Sequence, residues 1–514
     1  MQEQSSGSKV LFALLALILL TGAAWRIWLA VTSLPMSSEE FGTWRDVTRS
    51  NLGQMITWDH HRTHPPLNYL LVKLSILLTG REDMWVLRLP TLLFSILSIP
   101  LGYLLGRSLH GKTMGVSLAG IMAFWSFLLH QAHYARMYSA TVAFGLLALW
   151  MLARSCAPLP SRASGLRWMP SVALGASLAA LFWTSSAGLF LVAGIPLGLV
   201  GGWVLVRLAK LPSNEQPARA NQFAGLAVTV GTWFLMSLPG LLHYLHESRQ
   251  RAGRVVFIGG EPVEGGPDRY IGGLLSHPIE STLCLVGLGF IATRWKSHPR
   301  WVCATLAIAA INLVSVAAVG HTRDRYLVCF FLCGLVGLAW FSAWMADAVQ
   351  RTNGRFSNLD RLTRRGVALG IVLLPGLAFL GIEIVRGYPC STMYATSAMA
   401  VRDAVPEGAL VVAHPAYRMA SLRYYGVNAI SLPQARRKLP PAGVWFFAGD
   451  SRSQAQKKEL EAALTSLLSC YGHELDEHLL NQCFRSERVP IVEITPQTVR
   501  VIFASGENSG ESEG

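Results

Sequence analysis

Apolar runs of about 20 residues, the length that crosses a hydrocarbon layer about 30 Å thick, recur from Val10 to Val385 with short polar breaks between them. On that length criterion about eleven runs are counted. The first is Val10 to Val31. Pro66 to Leu78 is shorter and carries Lys73, which predicts a helix lying in the membrane interface. Further spans are expected over Arg88 to Gly106, Thr113 to Leu129, a return to Ala153, Phe223 to Leu242, Ile279 to Ala292, Trp301 to Val319, and two more ending near Val385. Pro170 to Val206 is twice one helix long, and its polar break Thr184-Ser185-Ser186 predicts a tight helical hairpin. The small residues Gly22-Ala23-Ala24 raise a cleaved signal peptide, but the run exceeds a signal core and many spans follow, so an uncleaved anchor is expected.

After Tyr388 the pattern changes. Leu410 to Ala413 and Val444 to Phe447 are strand-like, whereas Leu460, Leu464, Leu467 and Leu468 recur at helical spacing within Gln454 to Leu468. The expected fold is a polytopic α-helical membrane module over 1–386, whose first outer loop (32–88) carries the active site. A small extracytoplasmic α/β domain over 387–504 and a disordered Gly/Ser/Glu tail over 505–514 follow.

With 52% hydrophobic and 14% charged residues, the 514-residue chain is too apolar for a soluble protein. Its formal charge of +14 then has a topological source rather than a nucleic-acid one. If Lys9 is cytoplasmic, the loops on that side hold the denser set of basic residues, ending in Arg351, Arg355, Arg361, Arg364 and Arg365, as the positive-inside rule expects. An odd number of spans puts the α/β domain on the opposite, outer side. Arginines remain there too, which points to an anionic ligand. Cys470 and Cys483 form a candidate disulfide in that domain, with zinc between them, His473 and His478 as the other reading. The thiols of the apolar runs read as small buried side chains.

The polar clusters assigned to the outer side hold the candidate chemistry. They are Glu39-Glu40 after the first span; Asp59-His60-His61 and His64-Pro65-Pro66-Leu67; Arg88-Leu89-Pro90; Tyr134, Arg136 and Tyr138; and Arg323, Arg325 and Tyr326. A carboxylate can take a proton from a hydroxyl, and a guanidinium fork matches phosphate oxygens. Acid and phosphate clamp together suggest group transfer from a phosphorylated lipid. Each element also has a plainer reading: the acids as solvated interfacial charges, the arginines as headgroup anchors, the Tyr and Trp rings as an interfacial belt. Asp59, His60, His61 and His64 are ligand-type residues without a recognised metal spacing, and no metal or other cofactor is expected. The loop Arg249 to Arg269, with Gly259-Gly260 and Gly265-Gly266, reads as a lid or as a connector.

The order of these motifs (acid pair, His-Pro-Pro-Leu, Arg-Leu-Pro, Tyr-x-Arg-x-Tyr, Arg-Tyr-Leu) resembles the C-type-fold polytopic glycosyltransferases. Those of the protein mannosyltransferase and aminoarabinose transferase kind are similar, especially the bacterial rhizobial galacturonosyltransferase-like group. The resemblance covers Val10 to about Trp344. It implies an inverting transferase that moves a sugar from a polyprenyl-phosphate donor to a lipid, glycan or protein acceptor at the outer face of the cytoplasmic membrane. Glu39 falls at the family's Asp, the proposed general base, and Glu40 at its Glu. His64 falls in the element lining the site, and Arg88, Arg136 and Arg325 fall at its basic positions. Glu in place of Asp at 39 carries the carboxylate one methylene further, so either glutamate is a candidate base. The competing classes are a lipid or solute transporter and a noncatalytic envelope scaffold. Against transport, the ionisable residues inside the expected spans, Arg26, Glu280 and Glu383, all fall near outer ends rather than at mid-membrane.

Overall fold

The apolar runs fold as helices. The computed structural model describes residues 2–32, 38–56, 65–156, 168–185, 188–209, 219–250, 278–319, 327–351, 361–386, 393–414, 419–424, 427–431, 444–448, 454–471, 473–476 and 489–504. Within these, α1 (Gln2–Thr32), α2 (Ser38–Arg49), α3 (Leu52–Ile56), α4 (Leu67–Thr79) and α5 (Met84–His110) open the chain. Next come α6 (Lys112–Phe124), α7 (Ser126–Ala132), α8 (Tyr138–Cys156), α9 (Trp168–Thr184), α10 (Leu189–Leu208) and α11 (Arg219–Gln250). The helical part closes with α12 (Pro278–Thr293), α13 (Pro299–Val319), α14 (Val328–Arg351) and α15 (Arg361–Arg386).

Among the described residues, seven helices are long and apolar enough to cross a membrane, lying in α1, α5, α8, α10, α11, α14 and α15. The pair α6 and α7 makes an eighth if its 54° bend belongs to one span. The sequence count of about eleven, set by the ~30 Å criterion, further requires the shorter apolar helices α9, α12 and α13 to cross. With 13 residues, α4 is only about 20 Å long at 1.5 Å per residue, too short to span and suited to the interface. The expected span over Thr113 to Leu129 corresponds to the bent pair α6 and α7, interrupted at Trp125, which is extended at φ −62°, ψ 117°.

By contact, the chain forms two compact units, Met1–Thr32 with Ser50–Tyr388, and Ser33–Arg49 with Pro389–Gly514. In the first unit α14 lies at the centre, with Phe330, Phe331, Leu335, Val336 and Trp340 all buried. Leu20, Leu93, Leu197, Leu235 and Leu374 are exposed, the apolar outer surface expected of helices solvated by lipid. Helix association in lipid depends on close packing rather than on hydrophobic exclusion. The contact of α10 with α13 shows how: Gly194, Gly198 and Gly202 form one small-residue face, and a Cβ on Gly198 would enter the Cys303–Ala304 backbone. Gly198→Val is therefore expected to lower the melting temperature by several degrees, equivalent to about 1–3 kcal/mol of overpacking. Gly201→Val, where a Cβ meets nothing within 4 Å, should leave it within a degree or so by the same scale. A thermal-shift assay in detergent compares the two.

The second unit contains α2, then α16 (Met393–Ala404), β1 (Val411–His414), α17 (Met419–Tyr424), β2 (Ala429–Ser431), β3 (Val444–Ala448), α18 (Gln454–Ser469), β4 (Val489–Ile494) and β5 (Val499–Ala504). The sheet order is β2-β1-β3-β4-β5. Strands β2, β1 and β3 run parallel, with Val412 opposite Ile430 and Phe446, while β4 and β5 continue antiparallel, with Phe446 opposite Val492. Successive residues of β1 serve opposite faces. Val412 packs with Phe446, Val492 and the Leu464, Leu467 and Leu468 face of α18. Val411 and Ala413 pack with Val401, Leu422, Phe447 and Ile491. Burial on both faces explains why β1 reads as an unbroken apolar run. Cys470 is a free, exposed thiol, its Sγ 3.2 Å from Ser466 O. Its candidate partner Cys483, and His478, lie outside the described residues.

Candidate functional site

The break at Trp125 has a side-chain cause. A helix leaves its last carbonyls without intrahelical donors, and α6 ends with the Trp125 N–H on Ile121 O. The guanidinium of Arg26, 0% exposed, takes up the next two. Its Nη2 donates to Met122 O at 2.6 Å and its Nη1 to Ala123 O at 2.7 Å. Nη1 also donates to Gly22 O at 2.9 Å, and Nε donates to Ser95 Oγ at 2.7 Å. The Ser95 hydroxyl in turn reaches Leu128 O in α7 at 3.3 Å. One arginine thus ties α1, α5, α6 and α7 together where the chain bends.

That bend delivers the turn from His133 to Met137. His130, His133 and Tyr134 form a triangle of rings with centroids 4.7–5.2 Å apart. His133 Nδ1 is 3.2 Å from Leu129 O, a bond that requires the Nδ1–H tautomer. The Arg136 N–H closes a tight turn onto Tyr134 O at 2.6 Å, and α8 begins at Tyr138, whose buried ring lies edge-on to Phe127 at 6.4 Å. Arg136 is buried, and its Nη1 lies 3.5 Å from Tyr69 Oη. One residue earlier, Asn68 Nδ2 donates to Ala135 O at 3.5 Å. Asn68 and Tyr69 stand in the first turn of α4, which Pro65 and Pro66 start, consistent with the preference of proline for the opening of a helix. The Pro-Pro-Leu-Asn-Tyr and Tyr-x-Arg-x-Tyr motifs, 67 residues apart at their closest contact, therefore meet. Arg88 is 2% exposed in the second turn of α5, the helix that packs on both α4 and α8.

Sequence reasoning assigned roles to Arg136 and Tyr138 but not to Tyr69, which contacts Arg136, or Asn68, which bonds Ala135 O, nor to Arg26 as a structural residue. The signal for Asn68 and Tyr69 was their position directly after Pro65-Pro66. His64, Arg323, Arg325 and Tyr326 lie outside the described residues, as do Asp59, His60 and His61. The helix that follows the Arg323–Tyr326 segment is fixed at its start: Phe330 N donates to the buried Asn312 Oδ1 at 2.9 Å.

The acid pair belongs to the second unit. Glu39 and Glu40 lie in the first turn of α2. Acids there oppose the positive end of the helix dipole, so the pair favours the helix it sits on. Glu40 is 1% exposed, on a face with Phe41, Thr43, Asp46 and Val47. Asp46 is a third carboxylate that sequence reasoning passed over, seven residues after Glu39 and hence on the same side of the helix. It pairs with Arg45, Nη2 to Oδ1 at 2.9 Å. The rings of Phe41 and Trp44 approach Tyr424 of α17 at 5.5 and 5.3 Å, both edge-on. Arg423 Nε donates to Ala429 O in β2 at 2.7 Å; burial first, and then the charge of Arg49 on α2, draws its pKa below the usual arginine value.

At the opposite end of α5 a second titratable cluster forms. His110 Nε2 and Arg351 Nη2 both approach Asp347 Oδ2, at 3.3 and 3.2 Å, and the His110 and His298 rings lie 6.2 and 5.3 Å from that of Trp340. Burial, followed by the charges of His110 and Arg294, holds His298 below the ordinary histidine range. Phe290 and Trp344 rather than a carboxylate carry the Arg294 guanidinium, at 4.6 and 5.4 Å.

No family model matches the chain, and no curated protein matches it by sequence. Solved structures do match by shape. The apo structure of ArnT from Cupriavidus metallidurans superposes with a TM-score of 0.60 at 15% identity, over 89% of this chain and 95% of that one. The same ArnT bound to undecaprenyl phosphate gives 0.51 at 15% identity, over 86% and 93%. The archaeal oligosaccharyltransferase AglB from Archaeoglobus fulgidus, in complex with an inhibitory peptide and a dolichol-phosphate, gives 0.55 at 12% identity, over 98% and 75%. The chain thus has the fold of the C-type polytopic glycosyltransferases.

Proposed function

We propose that this protein is a membrane glycosyltransferase that moves a sugar from a polyprenyl-phosphate donor to a lipid, glycan or protein hydroxyl at the outer face of the cytoplasmic membrane. The observation that carries the reading is the fold, since one structure of that fold was solved with undecaprenyl phosphate and another with a dolichol-phosphate. Buried guanidiniums at Arg88 and Arg136 supply the charge such a donor needs, because a lipid phosphate at the membrane edge is held best by forked donors.

The chemistry is a single displacement with inversion. A glutamate of the Glu39–Glu40 pair accepts the proton of the acceptor hydroxyl as its oxygen bonds to the anomeric carbon. The bond from that carbon to the phosphate oxygen breaks, and the electron pair leaves on the lipid phosphate, whose growing charge the arginines stabilise. A carboxylate of ordinary pKa is ionised near neutral pH and can serve as a base without further activation. His64, Arg323, Arg325, Tyr134, Tyr138 and Tyr326 complete the proposed donor and acceptor contacts.

The test is transfer of labelled sugar from native polyprenyl-phosphate donors in membranes of a deletion strain complemented with the protein. A labelled product that depends on the protein supports the proposal, and lipid or solute movement without transfer would replace it with a transporter. Arg136→Lys is expected to weaken binding of undecaprenyl phosphate about tenfold, because a point-charge ammonium loses the fork. Tyr69→Phe should weaken it about threefold at most, since its contact to Arg136 is long. Equilibrium binding of a fluorescent polyprenyl phosphate separates the two.

A further inference from the structure

The acid helix is held by the tail of the chain. Phe41 and Trp44, three residues apart and so neighbours on one face of α2, both pack edge-on with the Tyr424 ring, at interplanar angles of 62° and 87°. Tyr424 is itself anchored. The adjacent Arg423 bonds Ala429 O of β2, Val427 N bonds Leu422 O at 3.0 Å, and Leu422 is buried in the core with Val411, Ala413 and Phe447. A continuous set of packed groups therefore runs from the sheet through α17 to α2, one turn or less from Glu39 and Glu40. By contact, residues 33–49 group with the tail and not with the helical unit.

From this geometry we propose that Tyr424 is a positioning residue for sugar transfer: its ring fixes α2 on the α/β domain and so fixes the carboxylates that α2 carries. The inference rests on the acid pair acting as the base, as proposed above. It assigns the C-terminal domain a part in the reaction, as the support that holds the base still, where otherwise it would be an appendage. Displacement of a base by about 1 Å can lower a rate about a hundredfold, and a 12-residue helix is marginal without tertiary support.

The experiment uses the full-length protein in nanodiscs and compares wild type, Tyr424→Ala and Tyr424→Phe. Two readouts are taken: hydrogen exchange of the 38–49 amides, and kcat and KM for transfer. Loss of two edge-on ring contacts is expected to speed α2 exchange about tenfold, while β3 and β4 keep wild-type exchange. In the same variant kcat falls about tenfold or more with KM within about twofold, and Tyr424→Phe, which keeps the ring, restores both. Unchanged α2 exchange in Tyr424→Ala overturns the positioning role whatever the activity. Faster α2 exchange with unchanged kcat overturns its link to turnover. Failure of the underlying reading looks different: Glu39→Gln and Glu40→Gln would then both turn over normally, while the exchange comparison would still decide whether Tyr424 holds α2.

Discussion

Arg26→Met is expected to lower stability by about 4 kcal/mol, the largest single-residue effect in the helical unit. Removing the guanidinium orphans Met122 O and Ala123 O at the end of α6 and takes a donor from Ser95. Each buried acceptor left without a donor costs about 1–3 kcal/mol, and no water in the hydrocarbon layer can substitute. Methionine fills much of the same volume, so the loss is one of hydrogen bonding rather than of packing. Arg26→Lys should fall between, because one ammonium cannot serve carbonyls on two sides and a hydroxyl together. Detergent thermal unfolding followed by size exclusion measures the order wild type, Lys, Met. A Met variant as stable as wild type would remove Arg26 from the account of the bend. The turn that carries Arg136 follows directly from α7, so the surviving Met protein should also bind polyprenyl phosphate less tightly.

The second large effect is on turnover. Replacing the proposed general base of the Glu39–Glu40 pair by Gln should reduce kcat about 10²–10⁴-fold, the usual contribution of a positioned base. Gln keeps the size and the hydrogen-bonding edge but cannot take the proton. Donor binding, assigned in the proposal to the arginines, should stay within about twofold of wild type in both variants. Burial distinguishes Glu40, which lies at 1% exposure. If Glu39 is the base, Glu39→Gln abolishes transfer, and Glu40→Gln instead lowers the stability of α2. If the deep loss of kcat falls on Glu40, that buried carboxylate is the base and the methylene added at position 39 is explained as a residue freed from the role. Normal transfer by both variants would return the acids to plain interfacial charges.

Hydropathy alone located the long apolar helices, because a membrane span must satisfy its backbone internally and so leaves a long apolar signature. The short apolar strand runs and the Leu460–Leu468 periodicity were equally local, and β1, β3 and α18 lie where the pattern placed them. The break at Trp125 was not legible. Its neighbours Ala123, Phe124 and Ser126 include no proline or glycine, and the residue that stabilises the break reaches in from 97 positions away. Arg26 itself was visible only as a charge near the end of a span. The same limit applies to the site. The motifs around Tyr69 and Arg136 could be named separately, but their contact depends on how α4 and α8 pack. That α2 belongs with the tail depends on Tyr424, which carries no signature of its own.

The split origin of the second unit has a consequence for biosynthesis. Roughly 340 residues of chain separate Arg49 from Pro389, and at about 5–20 residues per second the ribosome needs roughly 20 to 70 s to make them. Through that interval Phe41 and Trp44 of the nascent acid helix lack the Tyr424 ring they pack on, because the domain that carries it has not been made. A chain arrested or truncated before its last 120 or so residues, about the length of a small domain, therefore inserts its spans without assembling the proposed base. On the proposed reading, competence for transfer is therefore withheld until the α/β domain has been made.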